Sequence, residues 1–323
     1  MIPLSELQSI VADGLKQLSF PNEPAALYDP LRYMLSLGGK RMRPVLTLMG
    51  CDAFGGNVSV ALPAALGVEV FHNFTLMHDD IMDNAPLRRS KPTVHTKWNA
   101  NIAILSGDAM FVESSRLVMQ SPDSSVRQVM EVFNKTALEV CEGQQYDMDF
   151  ESMPEVSIDQ YLSMIRLKTA VLLGGSLKMG AFIAGANNEN ASHLYDFGVN
   201  LGVAFQLQDD ILDVYGDADI FGKQVGGDIL SNKKTFLLLT ALNKAIGSTK
   251  DSLLHWMSIS DQPLEKVKAV TTIYNSLNVR DDAETKMNAL YEIALSHLDS
   301  IPIADINKQP LKDLASSLMV RQS

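Results

Sequence analysis

Two short acidic stretches have the residue types and spacing to do chemistry: His78-Asp79-Asp80-Ile81-Met82-Asp83 and Gln208-Asp209-Asp210-Ile211-Leu212-Asp213. Each reads Asp-Asp-x-x-Asp. Each follows an apolar run of helical character, Phe71–Met77 before one and Val203–Leu207 before the other. On a helix of 3.6 residues per turn, the first and last Asp of each stretch are i and i+4, and the middle and last are i and i+3. All three carboxylates therefore crowd one face. Like charges at that spacing repel, and near a helix C-terminus the backbone dipole adds to the penalty. Folding rewards the arrangement only if a cation lies among them. Hard carboxylate oxygens select Mg²⁺, which tends to keep waters and share its shell with substrate phosphates. One copy would be weak evidence, because acidic helix ends arise by chance. Two copies, both flanked by apolar helix, predict carboxylate clusters Asp79, Asp80, Asp83 and Asp209, Asp210, Asp213 that face each other and hold a polyphosphate through magnesium.

Basic groups answer the acidic ones. Lys40, Arg41 and Arg43 lie between Gly38-Gly39 and a helix start at Pro44. Free N–H groups and the positive dipole end make a helix N-terminus a natural anion site. Arg88-Arg89 follows the first acidic stretch, and Lys223 and Lys233 follow the second. Lys168-Thr169 interrupts an apolar helical stretch, where a lysine must meet a counter-charge or snorkel to solvent. Gln206 is i−3 from Asp209 and shares its side of the helix. His72 is seven residues before Asp79, nearly in register with it.

The elements that must position these groups read as helices. Leu4, Leu7, Val11, Leu15 and Leu18 fall at helical spacing. A second helix runs over about 25–37 and stops at the double glycine. A third begins near Pro44 and reaches about 54. A long helix over about 59–83 carries the first acidic stretch at its C-terminal end. Residues 84–92 form a polar loop, and helices resume over about 97–120 and 122–150. A linker at 151–157 precedes two long helices, 158–185 and 190–215, the second ending in the second acidic stretch. A glycine-rich loop covers 217–228, and shorter helices broken at Gly247, Pro263, Asn278 and Pro302 complete the chain. Period-two alternation is scarce, and no linker is long enough to separate domains. The expectation is one all-α domain spanning 1–323.

The chain has 323 residues, 46% of them hydrophobic, which is ample for a large core. Its net charge of −11 argues against nucleic acid as the main partner. Two widely spaced cysteines, Cys51 and Cys141, suggest reduced thiols and a cytoplasmic protein. No signal peptide and no membrane span are expected.

In these motifs the chain resembles the trans-isoprenyl diphosphate synthases of the polyprenyl synthetase family. The resemblance runs from Gly38-Gly39-Lys40-Arg41-Met42-Arg43-Pro44 through His78–Asp83, Arg88-Arg89, Gly107-Asp108, Gly143-Gln144-x-x-Asp147 and Lys168-Thr169. It continues to Phe205–Asp213 and Gly222-Lys223, covering about two-thirds of the chain. It implies long helices around a central cavity, and a homodimer. It also implies head-to-tail condensation of isopentenyl diphosphate with an allylic diphosphate (dimethylallyl, geranyl or farnesyl). By position, Asp79, Asp83 and Asp209 would ligate Mg²⁺, three ions per site with Mn²⁺ as a substitute, and Asp80, Asp210 and Asp213 would support them. Arg88, Lys168, Lys223 and Lys233 would hold the allylic diphosphate. Lys40, Arg43, His72 and Arg89 would hold isopentenyl diphosphate. Thr169 and Gln206 would sit near the allylic carbon, and no side-chain nucleophile is required.

Product length should be set by Phe71, Phe74 and Thr75, below the first acidic stretch. At ~1.5 Å per residue, Phe74 lies roughly 7 Å and Phe71 roughly 12 Å along the axis from Asp79. In the family, an aromatic at the fifth position before the first Asp goes with short products, and Phe74 is at that position. The expected product is geranylgeranyl diphosphate, with farnesyl diphosphate or a longer polyprenyl diphosphate as alternatives. A terpene cyclase fits less well, because its second metal motif differs. A non-catalytic partner subunit would have degraded acidic motifs, and both are intact here.

Overall fold

The structure is a computed structural model that describes residues 2–216 and 226–319. It is all-α, and among the described residues the strands are limited to one two-residue pair. The chain divides into two compact units, each assembled from separate stretches. The first comprises 1–135, 175–195 and 302–310; the second comprises 136–174, 196–301 and 311–323.

The first unit is built on α1 (Leu4–Gln17), α2 (Ala25–Ser36), α3 (Met42–Ala53) and α4 (Val58–Met82), then β1 (Leu87–Arg88) and β2 (Lys91–Pro92), α5 (Val94–Lys97) and α6 (Ala100–Val118). Asn57 opens α4 by accepting the Ser59 N–H at 3.0 Å, which satisfies one of the helix's orphan donors. Asn84, left-handed at φ 49°, follows its end. Packed between α3 and α6, α4 is buried around much of its circumference. By length and composition α4 could cross a bilayer, but most of it is buried inside this unit, as a core helix is. Backbones approach closely where α3 meets residues 175–183. A Cβ on Gly50 would strike the Leu177 carbonyl oxygen, and one on Gly180 the Thr47 carbonyl oxygen.

The loop expected at 84–92 holds the hairpin β1–β2, with Leu87 opposite Pro92 and Arg88 opposite Lys91. The helix expected over 97–120 starts at Ala100, because Asn99 caps it by accepting the Ile102 N–H at 2.9 Å, and the short α5 precedes it. Helix α7 (Val126–Ser152) begins later and ends later than the sequence suggests, and its first ten residues belong to the first unit.

The second unit contains the rest of α7, α8 (Ile158–Ile165), a π-helical turn (Arg166–Ala170), the start of α9 (Val171–Ile183) and most of α10 (Asn188–Tyr215). It also contains α11 (Gly227–Leu230), α12 (Phe236–Lys244), α13 (Gly247–Ser258), α14 (Pro263–Ser276), α15 (Val279–Ser300) and the end of α16 (Asp305–Met319). Ser157 and Gln160 cap each other's backbone N–H groups at 3.1 and 2.8 Å and so fix the start of α8. The π turn breaks the single helix expected over 158–185.

Candidate active site

In the first unit, α4 carries His72, Asp79 and Asp80, with Asp83 as its C-terminal cap. Asp80 is 1% exposed, whereas Asp79 is half-buried and Asp83 exposed. The Arg88 guanidinium, delivered by β1, takes Asp80 with Nε at 2.8 and 3.0 Å from its two oxygens and Nη2 at 2.8 Å. The hairpin that delivers Arg88 is pinned by the Tyr33 hydroxyl, which donates to the Pro92 carbonyl at 2.8 Å. Its two turn residues, Arg89 and Ser90, are both left-handed at φ 52° and 60°, as a tight hairpin of this twist requires.

Arg89 donates to the Gly38 carbonyl. Its guanidinium lies against Gly39, whose φ of 123° is a conformation that L side chains rarely adopt; a Cβ there would come within 2.6 Å of Nη2 and push the guanidinium aside. The hairpin and the α2–α3 loop, far apart in sequence, thereby meet. Arg41, the residue before α3, is itself left-handed at φ 48°, ψ 37°. Its guanidinium pairs with Glu69, which is 2% exposed, and donates to the Leu35 carbonyl at 2.6 Å. Arg43 Nη1 lies 3.0 Å from His72 Nε2. A guanidinium can only donate, so Nε2 accepts and the imidazole proton sits on Nδ1. Burial first, and then Arg43, Arg89, Arg88 and Arg41, push the His72 pKa well below its ordinary value, so the ring is neutral. Burial likewise lowers Arg43 and Arg89.

Four guanidiniums thus bear on one neutral histidine. Two are paired with carboxylates, Arg41 with Glu69 and Arg88 with Asp80. The buried Arg43 Nε–H meets no acceptor among the described residues. The excess of guanidinium charge, with this unpartnered donor, is that of an anion site. Lys40 is exposed on the same loop.

Below the carboxylates, Phe71 is 1% exposed and packs on Phe74, Phe111 and Phe133, with ring centroids 5.6, 6.1 and 5.5 Å away. Phe74 is half-buried, 5.4 Å from Phe111 and 4.8 Å from the His78 ring. Thr75 spends its hydroxyl on the His72 carbonyl at 2.8 Å.

In the second unit, α10 carries Gln206, Asp209, Asp210 and Asp213. Asp210 is 4% exposed and accepts from the Tyr161 hydroxyl on one oxygen; the Gln206 amide lies 3.5 Å from the other. Burial raises the Asp210 pKa to about 7, with Asp228 adding to the rise, while Tyr161, Lys233 and Gln206 oppose it. Asp213 accepts the Asp228 N–H at 2.9 Å on its carboxylate and the Gly226 N–H at 2.6 Å on its carbonyl. Lys168, on the π turn with Thr169, pairs with Asp147 at 2.6 Å. A Cβ on Gly143 would run into the Lys168 backbone nitrogen, so α7 and the π turn touch there. Desolvation lowers the Lys233 ammonium, but Asp228, Asp147, Asp210 and Asp213 more than offset it, and its pKa rises. Lys223 lies outside the described residues.

Each unit therefore gathers most of its expected residues. Glu69, Phe111, Asp147, Tyr161 and Asp228 join them without having been singled out as site residues. Asp147 was legible as part of Gly-Gln-x-x-Asp. Tyr161 and Glu69 gave no local signal.

A family model described as Polyprenyl synthetase matches residues 24–277. A geranylgeranyl diphosphate synthase from Methanosarcina mazei is 40% identical over 240 residues, 74% of either chain. A geranylfarnesyl diphosphate synthase from Natronomonas pharaonis is 32% identical, covering 98% of this chain and 96% of the other. A crystal structure of a geranylgeranyl pyrophosphate synthase superposes with a TM-score of 0.95 at 44% identity, over 100% of both chains.

Proposed function

The chain belongs to the polyprenyl synthetase family and is a short-chain prenyltransferase, and from that premise we propose that it makes geranylgeranyl diphosphate by Mg²⁺-dependent head-to-tail condensation. The observation that carries the reading is the excess of guanidinium charge around neutral His72, with the unpartnered Arg43 Nε–H among the described residues, beside the first acidic motif.

Carboxylate oxygens of this kind would suit magnesium. Asp79 with Asp83 on α4, and Asp209 on α10, would offer them, while the Asp213 carboxylate accepts the Asp228 N–H and would support them. Other coordination positions are then left to water and diphosphate oxygens, which suits this ion. Asp80 and Asp210 are engaged by Arg88 and Tyr161, so they support the helix rather than reach outward. Three bound ions would supply charge stabilisation for the departing diphosphate.

The chain's own residues do the rest. Lys40, Arg43, His72 and Arg89 hold isopentenyl diphosphate; the His72 Nδ1–H donates to it. Arg88, Lys168, Lys223 and Lys233 hold the allylic diphosphate and stabilise the negative charge that grows as the C–O bond breaks. The Thr169 and Gln206 dipoles stabilise the allylic cation. The C–C bond then forms, and the departing diphosphate takes the proton. Phe74, with Phe111 beside it, stops chain growth. The single-domain reading of 1–323 is part of the same proposal, supported by each unit being built from three separate stretches of chain. So is a homodimer, supported by an exposed apolar stripe of Leu105 and Val112 on α6 and Met119 at its C-terminal cap. A cytoplasmic location is part of the same proposal, and the free thiols Cys51 and Cys141 support it.

Purified protein with Mg²⁺, labelled isopentenyl diphosphate and each allylic starter should yield a linear geranylgeranyl alcohol after dephosphorylation. Phe74→Ala should lengthen that product by at least one isoprene unit, and unchanged chain length would place the stop elsewhere. No incorporation by folded, dimeric protein would favour the partner-subunit reading. The geranylfarnesyl relative makes a longer product the second outcome to look for.

A further inference from the structure

We propose that Glu69 and Arg41 are positioning residues that hold the Gly38–Arg43 loop in its diphosphate-binding shape without themselves touching the ligand. The inference rests on the anion site read above.

Glu69 sits on α4, ten residues before Asp79. A carboxylate 2% exposed needs partners that fully answer its charge. It has two. Arg41 Nη1 pairs with Oε1, and the fully buried Asn73 donates to the same oxygen at 2.7 Å and to the Glu69 carbonyl at 2.8 Å. Asn73, one turn further along α4, thus sets the carboxylate's direction. From the other side, Arg41 Nη2 donates to the Leu35 carbonyl at 2.6 Å, at the end of α2. One guanidinium ties together α2, α4 and the start of α3.

The tie has a backbone consequence. Arg41 is left-handed, a conformation unfavourable for an ordinary L residue. Such a conformation persists where surrounding contacts over-determine it. Here the side-chain contacts to Glu69 and Leu35 do so. Gly38 and Gly39, at φ 80° and 123°, supply no restraint of their own. Without the tie, the segment carrying Lys40 and leading to Arg43 loses its fixed shape. Gly38 and Gly39, against which Arg89 is seated, shift with it.

Electrostatics and positioning predict opposite outcomes for Glu69. As a mere neighbouring negative charge, Glu69 would oppose an anion, and Glu69→Gln would tighten diphosphate binding. As a positioning residue, Glu69→Gln weakens it. The double variant Arg41→Met/Glu69→Met keeps the net charge and roughly the volume. Apolar replacement of a whole buried ion pair is often well tolerated by the fold, so this variant separates geometry from folding.

The test is calorimetric titration of isopentenyl diphosphate and of inorganic diphosphate into the full chain in EDTA, with steady-state kinetics in Mg²⁺ alongside. The expected result is affinity for both probes weakened about tenfold in Glu69→Gln and in the double variant, ~1.4 kcal/mol. The KM for isopentenyl diphosphate should rise in parallel, and the KM for the allylic substrate should stay within about twofold. Wild-type affinity in the folded double variant, or tighter binding by Glu69→Gln, overturns the proposal while leaving the anion site standing. Wild-type protein that neither binds isopentenyl diphosphate nor consumes it overturns the anion-site reading and the tether with it.

Discussion

The two acidic motifs share the pattern Asp-Asp-Ile-x-Asp, yet their central carboxylates are answered in different ways. In the first unit, Asp80 is neutralised by a forked guanidinium from Arg88, and further arginines crowd the neighbouring His72. In the second, Asp210 is answered by the neutral donors Tyr161 and Gln206, and burial, with Asp228 adding to it, lifts its pKa to about 7. The local pattern sets which face the carboxylates occupy. The field around them comes from partners elsewhere in the chain. The first region is prepared for an anion as it stands; the second must gain cations before it can hold one.

Removing the central carboxylate should separate the regions most clearly. Asp80→Asn leaves Arg88 partly buried without its counter-charge and should cost about 3 kcal/mol of stability in urea unfolding. Asp210→Asn, among neutral donors, should cost less than about 1 kcal/mol. Equal losses would mean that both sites rest on charge pairing. Next in size is Tyr161→Phe, which strips a hydrogen bond from a buried carboxylate and should cost about 2 kcal/mol in the same assay. That loss should shrink when Asp210→Asn is combined with it, a coupling that a merely packed tyrosine would not show.

How much of this contrast was legible beforehand follows from where the partners lie. Helix order and the glycine stops depend on residues within a turn or two, and they match the described elements. Arg88 is eight residues from Asp80, close enough to suspect. Tyr161 is 49 residues from Asp210, in a segment with no sign of chemistry. Nothing local to Glu69 shows that Arg41, 28 residues earlier, folds back onto it. The π turn was invisible for the same reason: it accompanies a close approach of Gly143 from another helix. Phe111 lies 37 residues beyond Phe74, and only the packing of α4 on α6 brings the two rings together.

The smallest effect concerns pH. His72 is held neutral, with a folded pKa below its unfolded value. Below about pH 6.5 the unfolded chain binds a proton that the folded chain refuses. Stability from this group is therefore complete above that pH and is lost as pH falls towards the folded pKa, by at most ~1.4 kcal/mol per pH unit. His72→Gln should flatten the stability profile between about pH 6.5 and 5 relative to wild type. An unchanged slope would mean that the arginines do not hold the ring neutral.

The most direct test of the contrast is ligand binding with and without metal. Isopentenyl diphosphate and a non-ionisable allylic diphosphate analogue would each be titrated into the protein in EDTA and again in Mg²⁺. The arginine-rich region should bind isopentenyl diphosphate with affinities within about threefold in the two buffers. The allylic analogue should bind at least ~100-fold more tightly with Mg²⁺, ~2.7 kcal/mol. Isopentenyl diphosphate that binds only with Mg²⁺, or an allylic analogue indifferent to the metal, would contradict the division of labour between the two regions.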